Sequence, residues 1–122
     1  MSYIKQPFQR ISGQVTSVAA GTITSLTNVP RRGYIVRFHA NLASGTGATI
    51  APVLSEHSGV SSNISQVLAA SAAAHVDEVP AMAIPYVADI VAGVPTIYLK
   101  HVPNTGSDNV VDYAIDIWPG EA

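Results

Sequence analysis

The sequence predicts a mainly β domain, and three observations carry that prediction. Gly and Pro, 9 and 8 of the 122 residues, recur along the whole length and cut the chain into short intervals. Two of those intervals alternate apolar and polar residues with a period of two, the spacing of a strand with one wet face. None is long enough for a long helix.

Taken in order, residues 1–13 precede the strand pattern and read as an extended N-terminal arm, leaving 14–122 as the folded domain. Residues 14–19 and 22–27, rich in Val, Ile and Thr, flank Ala20-Gly21 and predict a first hairpin. The clearest strand is 33–42, where Tyr34, Val36, Phe38, Ala40 and Leu42 alternate with Ile35, Arg37, His39 and Asn41. Residues 48–55 predict another strand, with Pro52 at an edge or a bulge because it cannot donate to a ladder. The alanine-rich part of 63–79 has good helix propensity and reads as one short helix or an irregular strand.

Residues 82–91 resume an apolar run, and Pro85 again places it at an edge or a bulge. Residues 96–102 and 109–118 are strands, the second with Val111, Tyr113, Ile115 and Ile117 on one side and Asp112, Ala114 and Asp116 on the other. The compact turn 103–108 between them predicts a C-terminal hairpin. Seven or eight short strands with regular turn signals predict a two-sheet antiparallel β-sandwich, jelly-roll-like, rather than a barrel.

Composition then limits function. Charged residues are 11 % of the chain against about 25 % in an average globular protein, while 48 % are hydrophobic. Ser, Thr and Asn stand where a monomer carries Lys and Glu, and a surface of that kind is easily desolvated, as protein interfaces are. The net charge of -2 and the lack of any basic stripe, Arg31-Arg32 being the one basic pair, give no electrostatic basis for a nucleic-acid partner, and none is expected. With no cysteine there are no disulfides, thiolate zinc sites or Cys nucleophile. No stretch has the length and polarity of a signal peptide or a membrane span, which predicts a soluble protein without a membrane partner.

The chemistry-bearing residues form no catalytic pattern. Four histidines, His39, His57, His75 and His101, never fall two or four residues apart, so spacing predicts no metal site, although assembly can bring symmetry-related histidines together. Asp112 and Asp116 on one strand face are roughly 13 Å apart, beyond the ~10 Å within which two carboxylates act on one glycosidic bond. The loop 104–109 has oxygen ligands but lacks the spaced acids of a calcium loop, and turn chemistry explains it. No Gly-x-Ser-x-Gly elbow or phosphate loop occurs. The expectation is therefore no enzyme, no cofactor and no metal.

Aromatic residues near the termini are more telling. Tyr34, Phe38 and Tyr113 join core faces by alternation, whereas Tyr3 and Phe8 at one end and Trp118 at the other lie outside the main patterns. With Ile4 they are the candidate interface residues, the alternative being that each folds back on its own sandwich.

The stretch Thr96-Ile97-Tyr98-Leu99-Lys100-His101-Val102-Pro103-Asn104-Thr105-Gly106-Ser107-Asp108-Asn109, running into Asp112-Tyr113-Ala114-Ile115-Asp116-Ile117, resembles small tailed-phage virion proteins, in particular capsid decoration (cement) proteins. The resemblance covers residues 96–117, a little under a fifth of the chain. It implies a homo-oligomer, a trimer above all, made in the host cytoplasm and bound to the major capsid protein on the capsid exterior, where it stabilises the shell. The arm 1–13 would then add a strand to a neighbour's sheet edge. A tail, baseplate or fibre subunit is the alternative within that class, and a carbohydrate-binding β-sandwich is the alternative outside it.

Overall fold

The computed structural model describes residues 8–58 and 66–120, with 66–69 as backbone only. Its strands are β1 (Gln9–Val18), β2 (Ile23–Thr27), β3 (Arg32–Ser44), β4 (Val53–Ser55), β5 (Gln66–Ala69), β6 (His75–Glu78), β7 (Ile84–Val87), β8 (Asp89–Val91), β9 (Val94–Lys100) and β10 (Asn109–Pro119). They form two five-stranded antiparallel sheets. One runs β1-β10-β3-β6 with β7 also on β3; the other runs β2-β9-β4-β5 with β8 also on β9. The mainly β, two-sheet sandwich expected from the strand pattern is the fold observed.

The core lies between the sheets. Ile35, Phe38, Val111, Ile115 and Ile117 from the first sheet meet Leu26, Leu54, Ile97 and Leu99 from the second, all at most 2 % exposed. At about 1.5–3 kcal/mol for each fully buried large apolar side chain, this layer is the main favourable term holding the sheets together.

Neither hairpin read from the sequence forms. β1 and β2 belong to different sheets, so Ala20-Gly21 is a corner, tied by the Gly21 N–H to the His101 carbonyl at 2.9 Å. β9 and β10 are likewise in different sheets, and 101–108 crosses from one to the other. A short connection between two amphipathic strands fits a hairpin and an inter-sheet corner equally well by local rules. Which one forms depends on where each apolar face finds a partner. A tight hairpin does form at β8–β9, where Ala92 and Gly93 both have positive φ (51° and 80°) as a two-residue loop requires.

The alanine-rich stretch is extended rather than helical. β5 pairs with β4, and the Ala73 N–H and carbonyl exchange bonds with Ile50 at 2.9–3.0 Å. Helix propensity of a few tenths of a kcal/mol per residue yields to neighbouring backbone that offers a ladder. At the N-terminus β1 begins at Gln9 and pairs with β10 from Gln9↔Ile117 onward, so residues 9–13 of the segment read as an arm are strand of their own sheet. Ile11 and Val15 keep the alternation going and pack on the core. Tyr3 and Ile4 lie outside the described residues. Pro85 stands where an edge was expected, since β7 pairs with β3 alone, opposite Tyr34.

Of the two register shifts between β3 and β10, the one at the start of β3 decides which side chains there reach the outer face. Along this strand the partners are Asp116↔Arg37 and then Ile117↔Ile35, which leaves Val36 as an extra residue, a β-bulge. The alternation reverses there. Phe38 and Ala40 point inward on one side of it, Gly33 and Ile35 on the other, and Tyr34 is turned to the outside.

Candidate functional site

The outer face of the first sheet divides into two zones. At the end where β3 begins, residues from neighbouring strands line up across the sheet: Phe8 just before β1, Trp118 on β10, Tyr34 on β3 and Pro85 on β7. Register places Trp118 directly opposite Tyr34 and Tyr34 opposite Pro85. Phe8 meets Trp118 edge to face, with ring centroids 5.8 Å apart at 87°, the geometry that aromatic quadrupoles favour.

These side chains stay accessible. Phe8 is 61 % exposed, Tyr34 44 % and Trp118 38 %, with Met82 at 83 % close by. A groove of about 830 Å³ runs beside them, lined by Tyr34, Met82, Ala83, Pro85, Val87, Trp118 and Pro119, with Arg32 as its one charged side chain. Tyr86 forms part of its floor and donates its hydroxyl to the Pro30 carbonyl at 2.8 Å. Burial pushes that hydroxyl's pKa well above the ordinary tyrosine value, so it stays a neutral donor.

Phe8 and Trp118 stand out in the sequence, and the structure brings them together. They pack on each other and still leave a continuous apolar surface. Tyr34 and Pro85 belong with them, which the sequence pattern does not reveal. Unbroken alternation assigns Tyr34 inward, and no local signal marks the bulge that turns it out.

The second zone is charged and self-satisfied. Arg10 clamps Asp116 with two bonds of 2.7 and 2.9 Å, Arg37 clamps Asp77 with 3.1 and 2.9 Å, and Gln14 donates to Asp112 at 2.7 Å. Each guanidinium holds its carboxyl below the usual aspartate range. Asp112 and Asp116 each face a partner on β1, in keeping with ordinary surface aspartates. Arg10 and Arg37 are thus each paired with an aspartate across neighbouring strands.

Beside this zone the strands bring two histidines together that lie far apart in the chain. His39 on β3 is opposite Asp77 on β6, and His75 lies two residues before it on the same face. The imidazoles are 6.4 Å apart between centroids, and His39 Nδ1 is 3.4 Å from Asp77 Oδ1. One ligand atom from each of the three lies within 4.8 Å of the others. Spacing along one strand could not show this, because the contact depends on the β3–β6 register. His57 and His101 stay apart from it; His101 is buried, its Nε2 2.9 Å from the Thr24 hydroxyl oxygen.

The loop 104–109 proves to be a structural corner. The Asn104 carboxamide oxygen accepts from the Ala48 and Thr49 N–H groups, and Asp108 accepts from the Thr46 N–H and hydroxyl. The Asn104 and Asp108 side-chain oxygens are thus engaged with the facing loop, and the bonds from Thr46 lower the Asp108 pKa.

No protein-family model matches the chain, and no curated protein matches it. Among solved structures, a chain described as cyanophage Pam1 capsid asymmetric unit is similar to it. The two superpose with a TM-score of 0.49 at 10 % identity, over 98 % of this chain and 90 % of that one.

Proposed function

We propose that the chain is a virion structural protein, a cement protein that binds the outer surface of a phage capsid and strengthens the shell. The observation that carries this reading is the row Phe8, Trp118, Tyr34 and Pro85, with Met82 beside it, presented by a domain that is only 11 % charged. Aromatic side chains, with only two χ angles, lose little entropy on docking, and aromatic and Met side chains are the residue types enriched at interfaces. The C-terminal resemblance to decoration proteins supplies the setting.

The strand order adds support. β6 and β7 run one after the other along β3, interrupted opposite the Val36 bulge, so they count as one strand. With β8 taken as an addition to β9, the remaining eight strands, numbered afresh in chain order, fall into sheets of order 1-8-3-6 and 2-7-4-5. We read this as a jelly roll, an architecture found in viral capsid and lectin domains. The fold alone does not select between those two uses. The groove favours the first, because a sugar needs several convergent hydrogen-bonding side chains and this lining is mostly Met82, Ala83, Pro85, Val87 and Pro119, with Arg32, Tyr34 and Trp118 as its accessible polar side chains.

In this reading the protein is a homo-oligomer, a trimer in the favoured form, whose partner is the major capsid protein, and it has no enzymatic activity. Several copies on one shell convert weak contacts into avidity. Heads purified from tail-less assemblies should contain the protein, and Trp118→Ala should reduce its retention. Finding it in tails and never in heads would transfer the reading to a tail, baseplate or fibre subunit. Glycan-array binding that vanishes with Trp118→Ala would replace it with a carbohydrate-binding module.

A further inference from the structure

We propose that His39, His75 and Asp77 form a binding site for a zinc-like divalent metal ion on the outer face of the first sheet. The three residues come from two hydrogen-bonded strands, so the backbone fixes their separation before any metal arrives. With bond lengths of about 2.0–2.2 Å, ligand atoms around a tetrahedral ion stand roughly 3.3 Å apart. The pair His39 Nδ1 and Asp77 Oδ1 is already at 3.4 Å, and the widest separation in the trio is within 4.8 Å. His75 and Asp77 are exposed, so rotation of these side chains closes that gap without moving either strand.

The donor set selects the metal. Two imidazoles with one carboxylate suit zinc, cobalt, nickel and copper far better than calcium or magnesium, which want oxygen alone. Arg37 already holds both oxygens of Asp77. A carboxylate has about four lone-pair positions, so Asp77 can keep the guanidinium and bind an ion, with Arg37 as the outer group that fixes its orientation. The nearby positive charge lowers affinity, and the site is therefore a moderate one. Its remaining coordination positions face solvent and take water in the isolated chain.

The test uses the full chain without a histidine tag. Isothermal titration with zinc should show one saturable equivalent per chain, and cobalt should produce visible d–d absorption of a low-symmetry nitrogen–oxygen site. Zinc in excess should also raise the melting temperature by mass action. His75→Ala and His39→Ala, with folding verified by circular dichroism, should each weaken binding at least about tenfold, the scale on which even outer-sphere losses act. His57→Ala should leave it unchanged. Absence of saturable binding, binding that survives both substitutions, or binding lost with His57→Ala would each overturn the site. Because His75 is exposed, its substitution leaves the packing intact and a negative result cannot be blamed on unfolding.

Discussion

Replacing Asn109 with alanine should destabilise the domain more than any other single change to a polar side chain in the corner loops. Asn109 is fully buried at the start of β10, where three parts of the chain converge. Its carboxamide oxygen accepts from the Gly47 N–H at 2.8 Å, and its amide donates to the Val18 carbonyl at 2.9 Å and the Thr105 carbonyl at 3.0 Å. Truncation leaves the Val18 carbonyl dry beside a fully buried residue, at about 1–3 kcal/mol. Gly47 and Thr105 sit nearer solvent and can find water, so each loses only the net value of one bond, about 0.5–1.5 kcal/mol. The sum is about 4 kcal/mol, equivalent to roughly a 15 °C fall in Tm for a domain of this size. Urea unfolding followed by fluorescence of the single Trp118 should report it as a lower midpoint at constant m-value. Asn109→Asp keeps the acceptor but turns a buried negative charge towards two carbonyl oxygens, and should be worse than alanine at neutral pH. A loss under about 0.5 kcal/mol for Asn109→Ala would show that the corner is held by backbone pairing alone and would refute this reasoning.

Three further outcomes are expected. His101 is buried, which lowers its pKa to about 4, so the unfolded chain takes up a proton first as pH falls. Stability from this residue is complete above its unfolded value of about 6.5 and drains away between there and about 4, by up to roughly 3 kcal/mol. Urea midpoints across that range should slope downward with acid, and His101→Leu should flatten the slope. Gly45 has φ +120°, and a Cβ there would lie 2.5 Å from the Asn109 Cα, so Gly45→Ala should lower the urea midpoint by an amount equivalent to about 2 kcal/mol or more. Ala92 sits at φ 51° in the β8–β9 loop, and Ala92→Asn should raise the thermal midpoint, worth about 0.5–1 kcal/mol, because Asn tolerates the left-handed region.

How far the fold could be read in advance follows from the range of the forces involved. Strands 33–42 and 109–118 were legible because a period of two survives along most of each, and the observed Arg32–Ser44 and Asn109–Pro119 extend them by only a residue or two. The pairing of those strands was not legible. Ala20-Gly21 and 103–108 look like hairpin turns locally, yet each joins two sheets, a choice made by burial of faces that lie far apart in sequence. The same holds for function. Phe8 and Trp118 stood out because they broke the pattern near the ends, whereas Tyr34 hid inside a regular alternation and the His39–His75–Asp77 trio exists only through strand register.

The extra residue in β3 has an effect on geometry separate from its effect on which side chains face out. Without Val36, the run Gly33-Tyr34-Ile35-Arg37-Phe38-His39 would alternate without interruption and show the same residues to the same sides. What would vanish is the local bend and added twist that a bulge imparts. The aromatic row lies on one side of that bend and the charged row with the histidines on the other. Their relative tilt is thus set by chain length at a single position rather than by side-chain chemistry, and a one-residue deletion would re-aim the patch against a partner while leaving its composition untouched.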